Sequence, residues 1–160
     1  MSDTIYIFLD VDGVLNSRYY FVTREDKPYT PRYDISPWNV SIFKMFTDLF
    51  PNHKIILSSS WRNGTFLYNA IDEVLKENGL ELHDKTPKCP YAANSTRGNE
   101  ILQWMNKHGV SKEQIVIFDD ESDMGELKDR LIQTRFDDGL TFADIRKAEL
   151  LLNKRKEKQT

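Results

Sequence analysis

The chain has 160 residues, a length that suits one compact domain. Apolar residues make up 39% and charged residues 29%, with 22 basic against 25 acidic side chains and a net charge of −3. That balance excludes wholesale disorder and an electrostatically driven nucleic-acid coat, while leaving room for a local basic groove. The one cysteine, Cys89, cannot form an internal disulfide, so a reducing, cytoplasmic location is the expectation. No charged leader precedes an apolar run, and no apolar stretch approaches the about 18 residues of a membrane span, so neither export nor membrane insertion is expected.

In chain order, Ile5-Tyr6-Ile7-Phe8-Leu9 reads as a buried strand that ends at Asp10. Residues 17–35 are rich in arginine and tyrosine and read as a short hairpin or flap. Ser36 and Pro37 supply an N-cap and a proline at the first helical position. Trp38, Ile42, Phe43, Met45, Phe46, Leu49 and Phe50 then fall on one helical stripe, stopped by Pro51. Lys54-Ile55-Ile56-Leu57 is a second apolar strand, ending at Ser58. Residues 66–78 form a helix ended by Gly79, and residues 85–95 read as a second irregular rim. A third helix runs from Arg97 to His108, with Ile101, Leu102, Trp104 and Met105 inward and Gly109 as its C-cap. Ile115-Val116-Ile117-Phe118 is a third apolar strand, ending at Asp119. Leu131-Ile132-Gln133-Thr134 is a further strand, and Thr141 caps a last helix through Ile145, Ala148, Leu151 and Leu152. Residues 154–160 are a basic tail, read as a solvated, fraying helix end or else an accessory phosphate contact.

Continuous rather than alternating apolarity marks strands covered on both faces, as in a parallel sheet. Strands alternating with helices imply an α/β fold: one doubly wound, Rossmann-like domain over residues 1–153. Active sites of such sheets lie beyond the carboxyl ends of the strands. Asp10, Ser58 and Asp119 all stand there.

Four segments carry chemistry. In Asp10-Val11-Asp12-Gly13-Val14-Leu15-Asn16, residues i and i+2 of an extended chain point the same way, which would turn Asp10 and Asp12 to one ligand. Two such carboxylates repel unless a cation or proton separates them, and hard oxygen ligands suit Mg²⁺. Gly13 lets the chain turn sharply out of the strand. The bland alternative is a turn whose aspartates satisfy local amides. Phe118-Asp119-Asp120-Glu121-Ser122-Asp123-Met124 crowds acids at another strand end. A helix N-terminus accounts for Asp123 but not for Asp119 and Asp120. Ser58-Ser59-Ser60-Trp61-Arg62 offers hydroxyls and amides for a phosphoryl oxygen and a neutralising guanidinium, or else a polar loop with a helix cap. Thr96-Arg97-Gly98-Asn99-Glu100 starts a helix with a cation that the helix dipole disfavours, which a nearby anion would explain; otherwise Arg97 is a surface residue.

In this order the segments resemble the motifs of the haloacid dehalogenase (HAD) superfamily of phosphatases, over residues 5–124. The finer pattern is similar to the small HAD domains associated with RNA repair proteins and to the phosphatase half of polynucleotide kinase-phosphatases. Thr134-Arg135-Phe136-Asp137-Asp138-Gly139-Leu140-Thr141 fits the same branch. The resemblance implies phosphomonoester hydrolysis through an aspartyl-phosphate. Asp10 would be the nucleophile and Asp12 the acid and base. Ser58 and Arg97 would hold the phosphoryl oxygens, with Ser59, Gly13, Arg62, Arg18 and Trp61 as further substrate contacts. The implied cofactor is Mg²⁺, held by Asp10, the Asp12 carbonyl and Asp120, with Asp119 close by or acting through water. Arg97 stands where the superfamily usually carries lysine, with Lys85 and Lys88 as competitors. Ser60 competes with Ser58.

The interval before Ser58 is too short for a large cap, so the site is expected to be nearly open, with a flap at residues 17–35. Interleaved Arg18, Tyr19, Tyr20, Arg24, Tyr29, Arg32 and Tyr33, with Trp61, suit single-stranded nucleic acid, where charge meets phosphates and rings meet bases. The same rings would equally pack the flap onto the domain. The expected substrate is a 3′- or 5′-phosphorylated RNA or DNA end, with a kinase or ligase as a repair partner. The alternatives are a phosphatase of small metabolites or nucleotides, and an inactive HAD fold kept as a binding module.

Overall fold

The computed structural model describes residues 3–27, 29–88 and 96–157, with side chains through residue 154. Its strands are β1 (Ile5–Leu9), β2 (His53–Leu57), β3 (Leu82–Lys85), β4 (Ile115–Asp119) and β5 (Leu131–Gln133). Its helices are α1 (Arg18–Thr23), α2 (Pro37–Leu49), α3 (Thr65–Glu77), α4 (Arg97–His108) and α5 (Phe142–Glu157). The strands form one parallel sheet in the order β3-β2-β1-β4-β5. Leu9 lies between Leu57 and Phe118, so the three apolar strands end level with one another. Chain order reverses across β1, and the crevice between the ends of β1 and β4 is the switch point where such folds bind ligands.

Alternate side chains of these strands enter two separate cores. Ile7, Leu9, Ile55, Leu57, Val116 and Phe118 pack with Phe43, Phe46, Ile71 and Ala148 of α2, α3 and α5. Phe8, Ile56, Ile115 and Ile117 pack with Ile101, Trp104 and Met105 of α4. The doubly wound α/β expectation holds. Among the described residues no helix is long and apolar enough to cross a membrane.

The structure departs from expectation in three places. Residues 17–35 are not a hairpin but the helix α1 and a 3₁₀ turn over Pro31–Asp34. Ser17 caps α1 by accepting from Tyr20 N, and the Tyr20 hydroxyl and Arg24 guanidinium both donate to Tyr33 O, closing the segment on itself. Of the α2 stripe, Trp38, Met45 and Leu49 are exposed. A helix on a sheet buries about a third of its circumference, and here Val40, Phe43, Phe46 and Thr47 occupy it. Trp38 instead meets the Phe142 ring edge-on at 5.8 Å. The expected second rim starts on Lys85, the last residue of the edge strand β3, and on its continuation through residues 86–88. Thr86 N donates to Leu57 O, and the Trp104 indole donates to Asp84, tying α4 to the edge. Residues 89–95 of that rim, Cys89 included, lie outside the described residues, as do residues 158–160 of the tail.

Candidate active site

Asp10 leaves β1 with its amide hydrogen-bonded to Phe118 O, which seats it beside β4. The chain then turns tightly, Val14 and Leu15 both donating to Val11 O. Gly13 takes a φ of +80°, and a Cβ there would stand 2.4 Å from the Asp120 carboxylate. The extended geometry therefore stops, and Asp10 and Asp12 do not share one environment. Asp10 is buried, whereas Asp12 is exposed. The Asp12 carboxylate accepts from Trp61 Nε1 at 3.0 Å and from Asn16 Nδ2 at 2.9 Å. Asn16 in turn accepts from Gly13 N at 2.8 Å.

Asp10, Asp119 and Asp120 each bring a carboxylate oxygen within 4.8 Å of the others. The Asp12 carboxylate stands outside this triad, which leaves its backbone carbonyl as its possible metal contact. Burial pushes Asp10 up from its ordinary value of 3.8 to about 6, against the pull of Arg97, the Val11 amide and Ser59. Burial, together with the charge of Asp10, pushes Asp119 up to about 9. Asp119 accepts from Glu121 N through one oxygen; the other is buried and makes no hydrogen bond, with Arg97 Nε 3.5 Å away. Three clustered hard oxygens, one of them buried without a hydrogen bond, fit a divalent cation such as Mg²⁺.

Ser58 follows β2 with its amide bonded to Leu9 O, beside Asp10. Its hydroxyl is buried and makes no hydrogen bond, which leaves it free for an incoming oxygen. Ser59 is engaged, accepting from Trp61 N and bonding the Asp10 carboxylate, and Ser60 is exposed. Arg97 is the first residue of α4, and its amide donates to Asp123. The adjacent Gly98 lets the helix approach closely, since a Cβ there would meet Met124 O at 2.3 Å. The anions that explain this cation at a helix start are Asp119 and Glu100. Of the competitors, Lys85 lies over the Tyr68 ring and Lys88 is exposed.

Three expected substrate contacts are engaged otherwise or turned from the site. Trp61 is 4% exposed, so its ring is closed to a stacking base. Arg62 is buried, with its guanidinium on Glu100 and Ser59 O rather than open to solvent. Arg18 is exposed and pairs with Asp137 at 3.0 Å. Sequence reading missed Asn16 and Glu100. Glu100 stood at i+3 from Arg97, a spacing that brings helix side chains together.

The model of the family described as the HAD domain in Swiss Army Knife RNA repair proteins matches residues 6–145. The chain belongs to this family. It is a HAD-family hydrolase domain, and the ends of β1, β2 and β4 carry the HAD motifs. Among solved structures, a haloacid dehalogenase-like family hydrolase of Streptococcus pneumoniae aligns with 93% of the chain and 92% of its own, at 13% identity and a TM-score of 0.46. No curated protein matches the HAD domain's sequence.

Proposed function

We propose that the domain is a Mg²⁺-dependent phosphomonoesterase acting on the phosphorylated end of a nucleic acid. The observation that carries the chemistry is the division between two aspartates two positions apart. Asp10 sits buried in a triad of acids beside an unengaged Ser58 hydroxyl, while Asp12 stands at the mouth on its own hydrogen bonds.

An Asp10 oxygen attacks phosphorus as the bond to the leaving oxygen breaks, and the Asp12 carboxyl proton passes to that oxygen. Water then attacks the phosphoryl group on Asp10. The bond to Asp10 breaks, the water proton goes to Asp12, and phosphate departs. Ser58 Oγ and Arg97 hold the non-bridging oxygens, with the Asp10, Asp119 and Asp120 carboxylates and the Asp12 carbonyl available to the metal. Bound there, Mg²⁺ supplies positive charge against the repulsion between phosphate and the Asp10 carboxylate.

Two observations support a polymer end as substrate. The family is described by its place in RNA repair proteins. Among the described residues the flap is only a six-residue helix and a turn, with no cap domain over the site. Beside it, Tyr20, Tyr29 and Tyr33 line a hollow of about 280 Å³, with Arg24 and Lys27 set against Glu25 and Asp34, and its rings suit the bases of a strand. A kinase or ligase acting on the same ends is the partner this reading calls for.

The test is Mg²⁺-dependent phosphate release from a 3′-phosphorylated oligonucleotide, its 5′-phosphorylated isomer and the matching mononucleotides, with Asp10→Asn as control. Preference for one oligonucleotide end supports the reading and names the end. Faster turnover of mononucleotides moves the substrate to small metabolites. Full activity of Asp10→Asn removes the covalent route.

A further inference from the structure

We infer that Trp61 is a positioning residue that aims the Asp12 carboxyl at the leaving oxygen; the inference rests on the acid/base reading of Asp12 above. Asp12 is exposed on a turn, where an aspartate ordinarily swings among rotamers. Here both of its oxygens are claimed from opposite segments: Asn16 Nδ2 donates to one and Trp61 Nε1 to the other. Asn16 is buried and its own carbonyl is engaged by Gly13 N, which sets its amide with the NH₂ toward Asp12. An ionised carboxylate has about four acceptor sites, so two remain for exchanging a proton with substrate and water.

The indole is as firmly placed as the amide. It is buried, its backbone N–H donates to Ser59 Oγ, and it belongs to the 3₁₀ turn Ser60–Asn63. Arg62 locks that turn by donating to Ser59 O and pairing with Glu100 of α4. The same short segment thus presents the Ser58 hydroxyl to the phosphoryl group and fixes the acid. An indole N–H is a donor with no acceptor capacity, so it orients the carboxyl without competing for the proton being moved.

The test separates aim from packing. Trp61→Phe removes the donor. A variant carrying benzothienylalanine at position 61, in which sulfur replaces N–H, does so while keeping the ring's shape. Each is assayed on ethyl phosphate, whose leaving alkoxide needs a proton, and on p-nitrophenyl phosphate, whose leaving group does not. Since a positioned general acid contributes ~10²–10⁴-fold, kcat/KM on ethyl phosphate should fall about 10- to 100-fold and that on p-nitrophenyl phosphate less than ~3-fold. In an Asp12→Asn background the same changes should cost less than about 2-fold, because residues acting as one unit are not additive. Equal losses on both substrates, or wild-type kinetics from the benzothienylalanine protein, overturn the inference and leave Trp61 as packing. If the wild-type protein turns over p-nitrophenyl phosphate, the phosphatase reading stands whichever way Trp61 falls; if it releases phosphate from neither of these esters nor from a 3′- or 5′-phosphorylated oligonucleotide, both fall.

Discussion

Glu100 stands between two guanidinium groups, and its replacement by glutamine has a calculable cost. Its carboxylate accepts from Arg62 Nη2 and lies 3.9 Å from Arg97 Nη1. The three side chains are 12%, 5% and 19% exposed, so solvent screens the group little. Glu100→Gln keeps the shape and removes the charge. Stripping one partner from a buried pair costs about 3–5 kcal/mol. Arg62 keeps Ser59 O at 2.8 Å and Arg97 keeps Asp119 at 3.5 Å, which places the loss at the lower end, about 3 kcal/mol. At ~2–4 °C per kcal/mol for a domain of this size, Tm should fall by about 6–12 °C. Thermal melts by circular dichroism, with urea titrations to check for an unchanged slope, measure it. The double replacement Arg62→Met with Glu100→Leu should recover most of the loss, because an apolar pair needs no desolvation of charge. A drop in Tm below about 2 °C for Glu100→Gln would refute the argument that this charge is structurally committed.

Two further outcomes follow from the acid triad. Asp10 and Asp119 both titrate above their ordinary value of 3.8 in the fold, so between about pH 4 and 9 the native state holds more protons than the unfolded chain. Metal-free protein should therefore gain stability as pH falls from about 8 to 5, and saturating Mg²⁺ should raise Tm more at the higher pH, where protons no longer shield the cluster. Scanning calorimetry with and without chelator reads both; a metal effect that grows toward acid would count against the triad as the binding site. Gly13→Ala places a Cβ 2.4 Å from the Asp120 carboxylate at a φ of +80°. It should cost at least ~1–2 kcal/mol and weaken Mg²⁺ binding by isothermal titration, and wild-type values for both would show that the close approach is dispensable.

Legibility tracked burial. The runs Ile5–Leu9, Ile55–Leu57 and Ile115–Phe118 of β1, β2 and β4 are continuously apolar because both faces are covered, and that pattern is local. β3 was missed because only Leu82 of Leu82-His83-Asp84-Lys85 is buried, as edge position allows. The α2 stripe overreached because any helix with seven large apolar residues in thirteen has more than one face can bury. Alternating arginine and tyrosine in residues 17–35 looked like a hairpin, but the Ser17 cap and the Tyr20 to Tyr33 bond favour a helix and turn. In the site, the acids were legible because they stand at strand ends. The roles of Trp61 and Arg62 were not. Their partners, Asp12 and Glu100, lie 49 and 38 positions away, and only the folded sheet brings them close. Two residues read as reaching outward to substrate turned out to face inward.

The strand that begins the described sheet is also its centre. β1 is flanked by β2 and β4, so the carboxylate of Asp10 waits on a partner strand that starts only at Ile115. Contacts so distant along the chain slow folding, because loop closure must precede their reward. No collapsed species lacking the β1–β4 pairing can assemble the triad, since Asp119 and Asp120 arrive with that strand. A divalent cation held by the triad would therefore act only after β1 and β4 have paired. It should slow unfolding while leaving the early refolding phases untouched, making metal affinity a reporter of the moment the sheet closes.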